Sequence, residues 1–159
     1  MRIYFRKPTA RPLDRLISSL VGKYIHVELQ FSSGISFSSR GRKGRPKGTS
    51  FAEIAYSHPK RWDEYKVVCQ HRLFEAEVYR QCRKLVGRDY DYAGAIFQAG
   101  FNLEGIENKN KLYCHEALAI AIYKAMIAWG MPPIDLRKAV RSPLGLCREL
   151  VKKGVIVLA

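Results

Sequence analysis

Acidic residues are scarce in this chain of 159 residues, which has 14 Asp and Glu against 28 Lys and Arg and a net charge of +14. This imbalance argues against a cationic partner. It favours an acidic one, such as nucleic acid, an anionic lipid surface or an acidic cell-wall polymer. Net charge carries no information about fold or chemistry, so a gain in solubility alone is an alternative explanation.

Long hydrophobic runs are also missing. No apolar run approaches the roughly 18 residues of a membrane-spanning helix. The longest, residues 117–123, ends at Lys124. The first six residues, MRIYFR, lack the apolar region of a secretory signal. We therefore expect no membrane span and synthesis in a cytoplasm without a signal peptide.

Cysteine occurs four times and never as a C-x-x-C pair, at Cys69, Cys82, Cys114 and Cys147. This spacing argues against the common structural zinc sites. A reducing cytoplasm would also keep these thiols free. The sequence thus predicts no metal and no cofactor.

The remaining composition is that of a globular protein, with 47% hydrophobic and 11% aromatic residues. The length is most simply one domain covering residues 1–159. Its strand and helix patterns taken together predict an α+β fold. Strands are expected at 2–5, 24–31, 35–38, 51–56, 65–69 and 155–158, and helices at 13–21, 73–86, 92–101, from 114 to before Pro132, 135–140 and 143–153.

The clearest strand alternates Ile25, Val27, Leu29 and Phe31 with Tyr24, His26, Glu28 and Gln30. Gly34 supplies a turn to a second alternating strand, which completes a hairpin. If Phe31 lies opposite Ile35, Leu29 faces Phe37 and Glu28 faces Ser38. One face is then polar and carries His26, Glu28, Gln30, Ser36 and Ser38.

Cys114 stands where a polar loop gives way to an apolar helical run. The first N–H groups of a helix have no internal partner and their dipole favours an anion, so a cysteine there can become a thiolate. The alternative is a small buried residue, because free cysteine is among the most buried residue types. A reactive site needs a partner as well, and His26 on its polar strand face is the candidate base.

Residues 40–48 form a basic loop that holds five basic residues, three glycines and no acid. The segment KGRPK at 43–47 resembles the AT-hook, a short motif that lies in the DNA minor groove, with a lysine at the place of its first arginine. Narrow minor grooves attract inserted arginine. A solvated loop is the alternative. The candidate nucleic-acid or anion ligands are Arg40, Arg42, Lys43, Arg45 and Lys47.

A histidine strand, a G-x-x-Y-D-Y-x-G segment at 87–94 and a cysteine at a helix start follow one another in this order. In that order the chain resembles the permuted NlpC/P60, or papain-like, cysteine hydrolases of the YaeF/YiiX type and their phage-encoded relatives. Ordinary members of the family have the cysteine helix first. Two departures stand out: His115 follows the cysteine where the family usually has serine, and the loop at 40–48 is unusually basic.

The resemblance implies a permuted papain-like fold and cleavage of an amide, such as a cell-wall peptide, through a thioester on Cys114 with His26 as general base. Glu28 is the first choice for the group that orients His26, and Ser38 is the second. Tyr90 matches the family's site tyrosine and is a candidate for oxyanion binding or the substrate groove. His115, about 100° around the helix from Cys114, is expected to point away.

Two other functions stay open. One is a non-enzymatic basic protein of a phage virion, or one associated with DNA, on the same fold; the positive charge favours it. The other is an acyltransferase, which shares the thioester and differs only in the acceptor.

Overall fold

The computed structural model describes residues 1–41, 47–54, 59–69, 71–90 and 111–159. Its strands are β1 Arg2–Arg6, β2 His26–Gln30, β3 Ile35–Arg40, β4 Gly48–Glu53, β5 Trp62–Val67, β6 Asp89–Tyr90, β7 Lys111–Leu112 and β8 Ile156–Leu158. The helices of the described part are α1 Pro12–Val21, α2 Arg72–Arg83, α3 Cys114–Ala128, α4 Leu136–Ala139 and α5 Pro143–Lys152. The helix predicted at 92–101 lies outside the described residues.

Six strands form one antiparallel sheet in the order β4-β3-β2-β1-β5-β8. β6 and β7 form a separate parallel pair. Together with the five described helices this is a mixed α+β architecture, as predicted. β1 lies in the middle of the sheet, between β2 and β5, although it comes first in the chain.

The predicted hairpin has the predicted register. Leu29 pairs with Phe37 and Gln30 with Ser36. The Phe31 N–H donates to the Ile35 carbonyl at 2.9 Å. Gly34 closes the turn with φ of 88°, a left-handed conformation that glycine adopts without steric cost. Turn geometry and the two-residue period therefore sufficed to align these strands.

The core lies between the sheet and the helices α2 and α3. Ile3, Phe5, Val27, Leu29 and Phe37 are fully buried on one face of the sheet. α3 is apolar on most sides and buries a stripe that includes Leu118, Ala121, Ile122 and Ala125. On α2 and just beyond its end, a stripe of Phe74, Val78, Cys82 and Leu85 is buried as well.

The other face of the sheet is polar but is not a solvent face. Glu28, Ser36 and Ser38 are all buried there, as is Arg40 at the end of β3. Buried polar groups are costly unless they are hydrogen-bonded. Each of these buried polar groups therefore needs a hydrogen-bonding partner within the folded protein.

None of the helices in the described part of the chain combines the length and the apolar character that crossing a bilayer requires.

Candidate active site

The nucleophile candidate is the first residue of α3. Tyr113 precedes the helix in an extended conformation and makes no side-chain capping hydrogen bond, and Cys114 follows it directly. The predicted helix start is thus confirmed. The N–H groups of the first turn have no acceptor within the helix, so the Cys114 sulfur lies at the positive end of a 15-residue helix.

His26 is the first residue of β2, and its imidazole is close enough to Cys114 for the two groups to interact by charge and hydrogen bonding. Its Nε2 lies 3.1 Å from Oε1 of Glu28, two residues along the same strand face. Because a carboxylate can only accept, Nε2 carries the proton and Nδ1 is the nitrogen left for the thiol. His26 keeps 18% side-chain exposure, more than either Glu28 or Cys114, which are both buried.

Arg40 completes a chain of charges behind the histidine. Its Nη2 lies 3.1 Å from Oε2 of Glu28, and its Nε lies 3.4 Å from Oε1. Its Nη1 donates to the Ser50 carbonyl at 3.1 Å. Burial alone would raise the pKa of Glu28, but the hydrogen bond to His26 and the charges of His26 and Arg40 lower it to about 2. Glu28 is therefore ionised across the physiological range.

The thiol and the imidazole shift each other's pKa in opposite directions. Burial would raise the pKa of Cys114, but the positive charge of His26 and hydrogen bonding in the cluster lower it well below the range of a free thiol. Burial would likewise lower the pKa of His26. The neighbouring thiolate and the hydrogen bonds to Cys114 and Glu28 raise it above its ordinary value. Both directions describe a thiolate–imidazolium ion pair at neutral pH.

His115 does not point away as its position on the helix suggested. Its ring is buried, Nδ1 lies 4.0 Å from the Cys114 sulfur, and Nε2 lies 2.9 Å from the Val140 carbonyl. The expectation failed because the ring packs on Tyr113, with centroids 4.5 Å apart, and turns back toward the helix start. Since a carbonyl only accepts, Nε2 of His115 donates to Val140, and Nδ1 is the ring nitrogen that faces the sulfur.

Two other predicted site residues have different surroundings. Ser38 is buried and its hydroxyl donates to the Val27 carbonyl at 2.7 Å, so it makes no hydrogen bond to His26. Tyr90 lies in β6, opposite Leu112 of β7, and is thus brought beside the strand that leads into Cys114. Of the two orienting groups considered for His26, the fold brings Glu28 to it and not Ser38.

The basic loop is only partly described. Arg42, Lys43 and Arg45, and with them most of the segment that resembles an AT-hook, lie outside the described residues. Lys47 is exposed. Arg40 was predicted to bind polyanions, but it is buried against Glu28 and is unavailable to a surface ligand. A buried carboxylate requires a cation, and the antiparallel pairing of β2 and β3 brings Arg40 to it.

Sequence reasoning missed Arg40 and His115 as members of the site. Arg40 carried one usable signal, because extending the predicted hairpin register places residue 40 diagonally across from Glu28. The basic residues that follow Arg40 led to its assignment to the basic loop instead. His115 carried none, since its orientation depends on the packing of Tyr113 and on the distant Val140 carbonyl.

No group of three or more His, Cys, Asp or Glu side chains in the described ranges is arranged to hold a metal ion. Comparison with known proteins finds no matching family model, no matching curated protein and no matching solved structure.

Proposed function

We propose that the protein is a cysteine hydrolase in which Cys114 is the nucleophile, His26 is the general base and acid, and Glu28 orients His26. The observation that carries the proposal is that Arg40 pairs with Glu28, Glu28 bonds to His26, and the His26 imidazole interacts with Cys114 at the N-terminus of a helix. Buried alternating charges of this kind cost stability unless each is paired. Strongly shifted groups in one cluster are typical of catalytic sites.

The reaction begins with attack of the Cys114 thiolate on a carbonyl carbon. The Cys114 N–H, free of an intrahelical acceptor, is the candidate donor to the resulting oxyanion. His26 then gives its proton to the leaving nitrogen as the C–N bond breaks, which leaves a thioester. His26 next takes a proton from water, the hydroxide adds to the carbonyl carbon, and the C–S bond breaks to release the acid and regenerate the thiolate.

The position of the histidine strand supports the permuted NlpC/P60 arrangement as the finer description of the fold. His26 precedes Cys114 by 88 positions, and an antiparallel sheet packs on the nucleophile helix. In this proposal Tyr90, beside the strand that leads to Cys114, lines the substrate groove. Peptide amides, including those of cell walls, are the substrate class that the resemblance implies. The net charge of +14 would concentrate the protein on an acidic wall polymer.

The test is to trap the thioester. Incubation with p-nitrophenyl acetate should give a burst of p-nitrophenol and an acetyl group on Cys114, found by peptide mass spectrometry and released by hydroxylamine. Cys114→Ser should lose both signals. Cys147→Ser is the matched control, because Cys147 is also buried but burial raises the pKa of its thiol. The proposal fails if wild type forms no adduct at Cys114, or if at about pH 6 the adduct forms equally well without His26.

A further inference from the structure

Helix α1 presents its leucines to solvent. Leu13, Leu16 and Leu20 are 64%, 60% and 40% exposed, although their spacing is that of an amphipathic helix. Single exposed leucines are ordinary, but three in one ridge on one short helix form a patch. The only residue that this helix buries fully is its acid, Asp14.

The orientation of α1 has an identifiable cause. Asp14 accepts hydrogen bonds from Arg6 Nη2 at 3.1 Å and from the Thr9 N–H and hydroxyl at 3.1 and 2.6 Å. Successive helical residues are about 100° apart, so Leu16 lies about 160° around the helix from Asp14. Turning the leucines inward would pull Asp14 away from Arg6 and Thr9. The fold therefore holds the leucine ridge outward.

Positive charge surrounds the ridge. Residues 1–27 contain six basic side chains and one acid, which is the buried Asp14. Arg11 and Arg15 are exposed, and neither forms an ion pair among the described residues. Lys23, just beyond the helix, is also exposed, although it pairs with Asp63 at 2.7 Å. The outer surface of α1 is thus apolar along its centre and cationic at its borders.

We propose that α1 is an interfacial helix that docks the protein on an anionic lipid bilayer. Leucines on one side with arginine at the border are the features of helices that lie in the plane of a membrane surface. The apolar ridge would enter the acyl boundary, and Arg11 and Arg15 would contact lipid phosphates. A nucleic acid would use the arginines but would leave the leucines exposed to water, so the ridge favours lipid.

The location of α1 gives this docking a consequence for the site. Arg6, which holds Asp14, lies directly opposite His26 in the pairing of β1 with β2. A bilayer bound by α1 would therefore meet the molecule at the end of the sheet that carries His26. The docking itself does not depend on the proposed hydrolase activity, and thioester trapping and vesicle binding test the two separately.

The experiment is cosedimentation of the full chain with vesicles of phosphatidylcholine alone or mixed with phosphatidylglycerol. We expect binding to the anionic vesicles only. Leu16→Ser should weaken it about tenfold, the effect of losing one buried leucine side chain. Arg11→Gln with Arg15→Gln should weaken it by about tenfold or more. The matched controls lie on α2 and at its C-terminal end. Leu73→Ser changes a leucine that is 65% exposed, and Arg83→Gln with Lys84→Gln removes two exposed cations. Both control proteins should bind the vesicles like wild type.

Three outcomes would overturn the proposal. The first is an absence of binding to anionic vesicles. The second is binding that Leu16→Ser and Leu73→Ser leave equally strong, which would mean that charge alone attracts the protein. The third is a wild-type dimer in sedimentation equilibrium that Leu16→Ser converts to a monomer, since a second copy would then cover the ridge. Because Leu16 is exposed, its variant should fold, and an unchanged circular dichroism spectrum would check this.

Discussion

Replacing His26 by alanine tests the electrostatics of the site most directly. The charge of His26 is the main influence that lowers the pKa of the Cys114 thiol, to about 5, against the effect of burial. Without that charge the thiol remains buried at the helix end. Its pKa should return toward the ordinary value of about 8.5, since burial raises it and only the smaller influence of His115 still lowers it. The predicted change is therefore a rise of the pKa by about 3.

The consequence for reactivity depends on pH. At about pH 6 the thiolate fraction should fall from about 0.9 to about 0.003, a loss of roughly 300-fold. A thiolate of higher pKa is intrinsically more nucleophilic, by roughly 30-fold for this shift. The net loss of rate at about pH 6 is then about tenfold, and the variant should overtake wild type above about pH 7. The crossing of the pH–rate profiles of wild type and His26→Ala is a more specific test of the shifted thiol pKa than a rate at a single pH.

The assay follows release of the coloured thione from dithiodipyridine as a function of pH, with peptide mass spectrometry to assign the labelled cysteine. A Cys69→Ser background is needed because Cys69 is only partly buried. His71→Asn is the matched control. It removes an imidazole that caps α2 and keeps a side chain able to accept from the Leu73 N–H. We expect its profile to match the background protein.

The reasoning would be refuted if His26→Ala left the lower inflection of the profile in place. The thiol would then owe its low pKa to the helix end alone, or would not have a low pKa at all. A profile that His71→Asn shifted as far as His26→Ala would also refute it, because the effect would not be specific to the ring at the sulfur.

Three further predictions concern the groups around the pair. Arg40→Met should lower the free energy of unfolding at neutral pH by about 3–5 kcal/mol in urea titrations, since it leaves the Glu28 carboxylate buried without its cation. Adding Glu28→Gln to the Arg40→Met protein should restore much of this loss. A loss under about 1 kcal/mol would mean that Arg40 and Glu28 do not form an ion pair in the folded protein. The pKa of Glu28 is lowered from 4.5 to about 2, and this contributes stability that is fully present above about pH 4.5 and is lost as the pH falls toward 2. The difference in unfolding free energy between wild type and Glu28→Gln should therefore shrink by about 3 kcal/mol over that interval. A difference that stays constant with pH would contradict this prediction. His115→Phe should raise the thiol inflection by less than His26→Ala does, because the charge of His26 is the largest influence that lowers the pKa of Cys114 and His115 adds a smaller one. A shift as large as that of His26→Ala would make His115 the principal base.

Several structural features of this protein could be predicted from local sequence patterns. The two-residue alternation around Gly34 predicted the hairpin and its register, because side chains of a strand must alternate between faces. The change from polar to apolar residues at Cys114 predicted the helix start. The same parity placed His26 and Glu28 on one face. Each of these depends on residues within a few positions of one another or on a single turn.

Other features needed the packed molecule. Arg40 belongs to a basic segment of the chain, yet it is buried because the pairing of β2 with β3 brings it to a carboxylate that needs a cation. Helix α1 has the pattern of a core helix, yet it turns its leucines outward because Arg6 and Thr9 hold Asp14. In both cases an ion pair between separate elements decides the orientation, and periodicity carries no information about such partners.

The sequence by itself therefore determined the α+β class, the hairpin, the start of the nucleophile helix and the shared face of His26 and Glu28, since backbone geometry alone relates those residues. Only the tertiary structure decided that the imidazole of His26 comes within interaction range of the Cys114 sulfur and that the His115 ring turns toward it. The first contact joins segments that are distant in the chain, and the second depends on side-chain packing. The free energy of such contacts is set by burial and charge in the assembled core.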